Sequence, residues 1–197
     1  MKRLAFMASG NGTNAENLIK KIRSGVISAD PAVVICDQPG AGVIERARSL
    51  GVPVVIVERR EFEDKAAFEA EILRELGDRK IDLICLAGYM RILGEEFVKL
   101  YWGRIINVHP AYLPAFPGAH SVKDAFEAKA AETGVTIHFV DTGVDSGPII
   151  LQRKVAIDPN DSLESLATKI HAVEYELYPE GLNRVLSGRA TMAGGPR

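Results

Sequence analysis

Apolar runs alternate with amphipathic segments along the first half of the chain, and this alternation constrains the fold most. The apolar runs read RLAFMAS, AVVICD, PVVIV, IDLICLAG and GRIINVH, and helix-like segments at 13–25, 41–51 and 65–77 separate the first four. Strands that are apolar on both faces are typical of a parallel sheet covered by helices on both sides. The pattern therefore predicts an α/β protein with an open, mostly parallel, doubly wound sheet.

The ends of these helices carry recognisable signals. Thr13 stands three residues before Glu16, the spacing of a capping box, and Gly25 is placed to end the first helix. The segment 65–77 predicts a helix with one apolar face, and this helix is expected to end at Gly77. That face consists of Phe68, Ile72, Leu73 and Leu76.

After Pro117 the pattern changes, and we expect an antiparallel extension of the sheet. The segment 121–132 predicts a helix, and the β-like runs 133–141 and 147–157 are joined by TGVDS. A long last helix is expected to begin near Asp161, with Glu164 at capping spacing. Its predicted buried face consists of Leu163, Leu166, Ile170, Val173 and Leu177.

Composition excludes few classes of function. The 197 residues include 24 basic and 26 acidic side chains, for a net charge of −2, which disfavours a nucleic-acid binder. No run of apolar residues reaches the length of a membrane span. Cys36 and Cys85 lie in apolar runs and are expected to be reduced core residues of a cytoplasmic protein.

Three polar clusters follow predicted strands: SGNGTN at 9–14, GYMR at 88–91 and NVHP at 107–110. Ligands of open α/β sheets bind at the carboxyl ends of the strands, so these clusters are expected to share one edge. The first cluster has the glycines and the following helix N-terminus that suit a phosphate. A turn without a ligand is the alternative. A third interpretation is a dinucleotide site, from the spacing of Gly10, Gly12 and Ala15 with Asp37 ending the second strand.

The third cluster points to chemistry at a carbonyl group. Asn107 and His109 are two residues apart in a strand and therefore share a face. An amide donor and a protonated imidazole suit an oxyanion, and Asp145 is the candidate carboxylate to hold the imidazole charged. The cluster offers no Ser or Cys nucleophile, which favours direct transfer to a bound acceptor. His109, His120 and His138 show no metal-ligand spacing.

Five motifs together carry a resemblance to a known family. SGNGTN, AGYMRIL, INVHPAYLPAFPG, GVTIHFVDTGVDSGPII and EYELYP occur in this order along nearly the whole chain. The sequence resembles the glycinamide ribonucleotide transformylases, also called phosphoribosylglycinamide formyltransferases, of purine synthesis. The resemblance implies a Rossmann-like formyltransferase fold. It also implies formyl transfer from the co-substrate 10-formyltetrahydrofolate to the amine of glycinamide ribonucleotide, without a metal.

The resemblance also assigns residues. It implies Asn107, His109 and Asp145 as the catalytic trio, and His138 as their support. The implied ribonucleotide contacts are Gly12, Thr13 and Asn14 at the phosphate and Glu174 at the ribose or glycinamide end. The implied folate contacts are Lys65, Met90, Arg91, Ile92, Leu93, Asp141, Thr142, Gly143 and Val144. Two residues depart from the family pattern: Lys65 stands where Arg is frequent, and Ala111 where Ser is expected.

The expected organisation is one formyltransferase domain over 1–197. It comprises a phosphate-binding part at 1–110, a folate-loop and closing part at 111–187 and a weakly ordered tail at 188–197. The loop 141–147 is expected to be mobile without ligand. The expected partners are the two small molecules, without nucleic acid or membrane, and the protein is expected to be a monomer or homodimer.

Related activities remain as alternatives. Methionyl-tRNA formyltransferases resemble the 107–110 region, but they require a further tRNA-binding domain for which the chain is expected to be too short. Formyltetrahydrofolate hydrolases use a related site with water as acceptor. An NAD-dependent oxidoreductase would rest on Gly10, Gly12 and Asp37. A non-catalytic folate- or nucleotide-binding module would leave Asn107, His109 and Asp145 together unexplained.

Overall fold

The computed structural model describes residues 1–194. Within them the chain forms seven strands and six α-helices. The strands are β1 (Arg3–Ala8), β2 (Asp30–Cys36), β3 (Val54–Ile56), β4 (Leu83–Leu86), β5 (Ile105–His109), β6 (Glu132–Phe139) and β7 (Ile149–Ala156). The helices are α1 (Thr13–Arg23), α2 (Gly42–Ser49), α3 (Lys65–Asp78), α4 (Glu95–Leu100), α5 (Ser121–Glu127) and α6 (Leu163–Leu186), with a 3₁₀ turn at Arg59–Glu61.

One sheet runs through the molecule in the order β3-β2-β1-β4-β5-β6-β7. The strands β1 to β5 are parallel, whereas β6 runs antiparallel to both β5 and β7. The mostly parallel open sheet, its antiparallel extension and the long last helix are confirmed. The strand order reverses between β1 and β4, so the loops after these two strands flank a crevice at the carboxyl edge.

Two apolar layers cover the sheet, one on each face. Alternate residues of β1 divide between them: Leu4, Phe6 and Ala8 belong to one layer, and Ala5 and Met7 to the other. Helices α1, α2 and α6 pack on the first face, and α3 and α4 on the second. This division is the reason why successive residues of β1 and β4 are apolar, whichever face of the sheet they point to.

The first helix begins differently from the capping-box prediction. Gly12, and not Thr13, is the N-cap of α1; its φ is 73°, and no side chain caps the helix. Glu16 instead pairs with Lys20 and Arg46. The last helix is capped one residue later than expected, since Ser162 and Ser165 form the capping box. Leu163, its first residue, is exposed, so its predicted burial is wrong.

Two helix ends also differ from the predictions. The third helix passes through Gly77 to Asp78, and the chain turns at Lys80, whose φ is 52°. The predicted helix 121–132 stops at Glu127 because Glu132 already pairs with Ala156 in the β6–β7 ladder. Strand pairing thus overrides the helix propensity of the intervening alanines.

Both cysteines are unpaired and buried, as predicted. None of the helices within residues 1–194 combines the length and apolarity needed to span a membrane. Beyond α6, Ala190 and Met192 pack against the core. The last three positions of the expected weakly ordered tail, 195–197, lie outside the described residues.

Candidate active site

The carboxyl ends of β4 and β5 and the loop before β7 enclose a cavity of about 280 Å³. The structure brings Asn107, His109 and Asp145 together on its wall, and His138 lines it too. Asn107 and His109 reach the same cavity because they are two residues apart on β5. Pairing of β5 with β6 places His138 directly beside Asn107.

Asp145 is the electrostatic centre of this group. One carboxylate oxygen lies 3.4 Å from His109 Nδ1 and accepts a 2.8 Å hydrogen bond from the Gly118 amide. The other oxygen lies 3.6 Å from His138 Nε2. Burial by itself raises the pKa of Asp145, but its contacts with His138, the Gly118 amide and His109 outweigh burial and lower the pKa to about 2. The site therefore holds a permanent negative charge facing two imidazoles.

Both ring nitrogens of His109 face hydrogen-bond acceptors. Nε2 lies 2.8 Å from the Phe116 carbonyl, and Nδ1 faces the Asp145 carboxylate. An imidazolium has two N–H donors and satisfies both acceptors, whereas a neutral ring satisfies only one. Phe116 and Asp145 both have left-handed backbones, with φ of 54° and 51°. Such conformations in residues other than glycine cluster at functional sites.

His138 fixes the amide of Asn107. Nδ1 of His138 lies 2.8 Å from the Phe139 carbonyl, so this nitrogen carries the proton in the neutral ring. In that neutral form Nε2 accepts a 3.2 Å hydrogen bond from Asn107 Nδ2, whereas in the protonated form Nε2 donates toward the Asp145 carboxylate 3.6 Å away. The amide has two N–H donors, and the second one remains for a ligand in the cavity.

Most of the expected folate contacts line the same cavity. They are Met90, Arg91, Ile92, Leu93, Asp141, Gly143 and Val144. Two others do not line it. Lys65 stands at the start of α3 and pairs with Glu69, and Thr142 is exposed in the loop before β7. At the cavity mouth Met90, Ile92 and Val144 are 67%, 63% and 51% exposed, and they form an apolar rim.

The glycine loop lies after β1 and is packed tightly against α2. A Cβ at Gly12 would collide with Val43, so the left-handed backbone and the close packing both require glycine. Arg46 donates to the backbone carbonyl of Asn11 at 3.0 Å and pairs with Glu16. Because no side chain caps α1, the amides of its first turn are available to an anion.

Glu174 lies beside this loop, on α6. It is 3% exposed and accepts hydrogen bonds of 2.8 Å from Asn14 Nδ2 and from His171 Nδ1. The hydrogen bond with Glu174 raises the pKa of His171. Glu174 and Asn14 thus come together across 160 residues of sequence. Neither residue lines the 280 Å³ cavity.

Thr136 holds the loop that follows His109. Its hydroxyl donates to the Ala111 carbonyl at 2.7 Å and accepts from the Leu113 amide at 3.1 Å. Gln152 donates to the same hydroxyl at 3.0 Å. Ala111 is completely buried, and its backbone carbonyl accepts the hydrogen bond that anchors the loop. The loop is therefore anchored at this position without a hydroxyl on residue 111.

Sequence reasoning missed the backbone groups that complete the site. The Phe116 carbonyl and the Gly118 amide have no side-chain signature, and their roles follow only from the folded loop. His171 was missed as well, although its spacing of three residues from Glu174 on a helix could have indicated the contact.

Other features of the described residues do not suggest a second centre. A wider and more open hollow of about 600 Å³ lies near the amino ends of β1 and β2, with Arg3, Arg23 and Asp30 on its wall. None of the candidate residues lines it. Within residues 1–194, no group of three or more His, Cys, Asp or Glu side chains is arranged to hold a metal.

Comparisons with known proteins agree on one family. The profile of the family described as formyl transferase matches residues 2–182. The chain is 43% identical to phosphoribosylglycinamide formyltransferase of Bacillus subtilis over 186 residues, covering 94% of this chain and 95% of that protein. It is 41% identical to the trifunctional purine biosynthetic protein adenosine-3 of Drosophila melanogaster, covering 98% of this chain and 14% of that protein.

Solved structures agree with the sequence comparisons. The crystal structure of glycinamide ribonucleotide transformylase 1 from Geobacillus kaustophilus superposes with a TM-score of 0.92 at 49% identity. The match covers 94% of this chain and 99% of that one. An open α/β sheet with an Asn–His–Asp group at its carboxyl edge, together with the family match, defines an enzyme of the formyl transferase class. Within this class, the chain belongs to the phosphoribosylglycinamide formyltransferase family.

The surroundings of Asp37 argue against the dinucleotide interpretation of the glycine loop. The dinucleotide interpretation needed Asp37 as a free ribose-binding acid. In the structure Asp37 is buried and paired with Arg91 at 2.5 Å. The carboxylate is therefore already engaged by a cation of the protein, and an oxidoreductase site loses its defining acid.

Proposed function

We propose that the chain transfers the formyl group of 10-formyltetrahydrofolate to the amine of glycinamide ribonucleotide. The products are N-formylglycinamide ribonucleotide and tetrahydrofolate, formed in de novo purine biosynthesis. The observation that supports this most is the convergence of Asn107, His109 and Asp145 on one cavity. The names of the relatives support the same acceptor and the same chemistry.

The proposed reaction passes through a tetrahedral oxyanion. The amine nitrogen attacks the formyl carbon, a C–N bond forms, and the formyl oxygen becomes negative. Asn107 Nδ2 and the imidazolium of His109 donate to this oxygen. Collapse of the intermediate breaks the bond to the folate nitrogen, which takes a proton that the attacking amine has lost through water. The Asp145 carboxylate faces Nδ1 of His109 and stabilises the positive charge of the imidazolium.

His109 must exchange one hydrogen bond to play this part. Its Nε2 proton is bonded to the Phe116 carbonyl, and its Nδ1 proton faces Asp145. The proposal therefore has the developing oxyanion replace or share the Phe116 carbonyl as an acceptor. A charge-assisted hydrogen bond to the oxyanion is stronger than one to a neutral carbonyl, so the exchange favours the transition state.

We place the ribonucleotide at the glycine loop. Gly12, Thr13 and Asn14 would hold its 5-phosphate at the N-terminus of α1, where partial positive charge favours an anion. Glu174 would accept from the ribose or glycinamide end, and its bond with Asn14 already joins the two parts of this site. In this proposal 1–110 contributes the phosphate loop, and 111–187 contributes Glu174 and Asp145.

We place the folate between two loops. Met90, Arg91, Ile92 and Leu93 form one wall, and the segment from Asp141 to Asp145 closes over the other. Lys65 stays a proposed contact, although it lies outside the cavity wall and pairs with Glu69. The proposal has the reaction take place in the cytoplasm, by a monomer or homodimer acting on small molecules, without metal, nucleic acid or membrane.

A direct assay tests the proposal. The protein is mixed with glycinamide ribonucleotide and 10-formyltetrahydrofolate, and formation of deformylated folate is followed by absorbance. We expect turnover that requires both substrates. Equal turnover without the ribonucleotide would identify a hydrolase instead, and no turnover in the complete mixture would contradict the proposal.

A further inference from the structure

Asp37 is a buried acid that the proposed chemistry does not use. It ends β2 and is 3% exposed, and its carboxylate lies 2.5 Å from Nε of Arg91. Gln38 donates weakly to the same oxygen at 3.3 Å. Burial of a carboxylate is costly unless the carboxylate is paired, and loss of its cation would leave Asp37 as an unpaired buried charge. The ion pair therefore joins the end of β2 to the loop that follows β4.

The pair fixes the loop 88–94, which follows β4 and forms one wall of the active-site cavity. Two other side chains hold the same loop. Ser9 Oγ accepts from the Met90 amide at 2.9 Å, and Glu69 accepts from the Gly94 amide at 2.8 Å. These two contacts hold the backbone. Asp37 differs from them because it holds the side chain, and not the backbone, of a residue that lines the cavity.

Arg91 is oriented from two directions. Asp37 holds Nε, and the ring of Phe68 lies under the guanidinium, 5.5 Å from its centre. Within residues 1–194 the guanidinium has no second hydrogen-bond acceptor, so its terminal N–H groups remain available to a ligand. The side chain is 35% exposed, and Arg91 is one of the residues that line the cavity. Because the planar guanidinium is held at Nε by Asp37 and on one face by Phe68, it keeps a single orientation.

The other neighbours of Asp37 do not compensate its charge. Burial, with the charge of Asp37, raises the pKa of the nearby Tyr89 phenol, which therefore stays neutral. The second oxygen of Asp37 and the Tyr89 hydroxyl are both buried and without a hydrogen-bond partner in the described part of the chain. Arg91 is consequently the one cation that compensates this carboxylate.

We propose that Asp37 is a positioning residue for the folate subsite, acting by holding the guanidinium of Arg91 toward the cavity. The inference rests on the proposed function, since it takes the ligand at this wall to be the folate. It assigns Asp37 no contact with either substrate. It predicts that loss of the charge of Asp37 weakens binding of the folate alone. The rate of formyl transfer and the binding of the ribonucleotide should not change.

The test is Asp37→Asn, which keeps the shape and removes the charge. We expect the KM for 10-formyltetrahydrofolate to rise about tenfold, since the ion pair is replaced by a weaker hydrogen bond from the guanidinium to an uncharged amide oxygen. The kcat and the KM for the ribonucleotide should stay within about twofold of wild type. Asp30→Asn is the matched control, because Asp30 pairs with Arg3 at 2.7 Å near the opposite edge of the sheet and should change neither KM.

The double variant Asp37→Asn with Arg91→Met supplies the decisive comparison. Neither this variant nor Asp37→Asn leaves an unpaired charge in the core, so both should fold, as thermal unfolding would verify. If Arg91 acts only when Asp37 holds it, the two variants share one folate KM within about twofold. A wild-type folate KM in Asp37→Asn would overturn the inference, and so would a much higher KM in the double variant than in Asp37→Asn.

Calorimetric titration with tetrahydrofolate separates this inference from the proposed function. We expect wild type to bind it and Asp37→Asn to bind it about tenfold more weakly. Equal binding by both proteins defeats the inference and leaves the proposed function standing. Wild-type protein that neither binds the folate nor transfers the formyl group defeats the proposed function itself.

Discussion

At the scale of single residues, the site is built around the carboxylate of Asp145, which is largely buried and held by hydrogen-bonding partners. Asp145 is only 13% exposed at its side chain, yet it faces His109 and His138 and accepts from the Gly118 amide. Donors fixed before the reaction need no reorganisation when negative charge develops. The two predictions that follow concern the imidazole and the carboxylate separately.

The first prediction is that His109→Ala lowers kcat by about 100-fold or more, because the loss of one oxyanion donor costs about 3 kcal/mol in the barrier. The variant should fold normally, as circular dichroism would show. His120→Ala is the control, since His120 is exposed and its side chain does not cap α5. Turnover near that of wild type in His109→Ala would disprove the assigned role.

The second prediction concerns stability and pH. Because the folded-state pKa of Asp145 is lowered to about 2, its contribution is present above the ordinary value near 3.8 and is lost as pH falls toward 2. Asp145→Asn should therefore reduce the free energy of unfolding by about 2 kcal/mol at pH 7. Urea denaturation at pH 7, 4 and 3 should show the difference shrinking; a gap that is constant with pH would refute this account.

At this scale the side chains of the site were more predictable than its backbone groups. Asn107 and His109 share a face because strand geometry has a period of two, and the structure places both on the cavity. Their partner Asp145 could be suggested only as a carboxylate in the glycine-containing loop 141–147, because its approach to His109 does not follow from the sequence. The Phe116 carbonyl lies outside any such pattern, because its direction depends on a left-handed residue in a loop. The catalytic roles themselves stay predictions.

At the scale of elements, the turn between β1 and α1 is constrained by its packing against α2. Gly12 combines a positive φ with close packing against Val43 of α2, and Arg46 of α2 holds the adjacent carbonyl of Asn11. The second helix thus braces the loop that we propose for the phosphate. A change at Gly12 should therefore disturb both stability and binding.

The third prediction is that Gly12→Ala destabilises the protein by more than Gly25→Ala and raises the KM for the ribonucleotide. Both glycines have positive φ, 73° and 77°, but a Cβ at Gly25 meets nothing within 4 Å. The control thus measures the backbone term alone, about 1 kcal/mol, and the excess at Gly12 measures the collision with Val43. Equal destabilisation in thermal unfolding would count against this packing.

Element types were predicted better than element boundaries. The five parallel strands and the final helix follow from apolar periodicity, which the structure confirms. Helix α4 was missed because it has only six residues, too few for a period of 3.6 to be visible. The capping signal at Thr13 was misleading, since the neighbouring glycine takes the cap position when the loop packs against α2.

At the scale of the whole molecule, the C-terminal helix α6 contacts α1 near the N-terminus and the strands β4 and β5 that carry the site. The Tyr178 hydroxyl is completely buried and lies 2.9 Å from the Leu86 carbonyl and 3.2 Å from the Ile106 carbonyl. Leu86 ends β4, and Ile106 precedes Asn107 on β5. The same helix carries Glu174 to the loop after β1. These long-range contacts have no signature in a single sequence beyond the resemblance to a family.

The fourth prediction is that Tyr178→Phe costs about 1–3 kcal/mol in unfolding free energy, because buried carbonyls lose their donor. Tyr175→Phe is the matched control, since Tyr175 contacts α1 through its backbone carbonyl, which accepts from Asn17. Chemical denaturation of both variants supplies the comparison. An equal cost in the two would show that the Tyr178 hydroxyl is not what fastens this helix.

The apolar rim of Met90, Ile92 and Val144 leaves hydrocarbon in water at the cavity mouth. A folate that covers it should make the binding enthalpy more negative as temperature rises, since burial of apolar surface lowers heat capacity. Titrations between about 10 and 35 °C would measure that slope. Ile92→Ser should flatten it, and a temperature-independent enthalpy in wild type would mean that the rim stays wet in the complex.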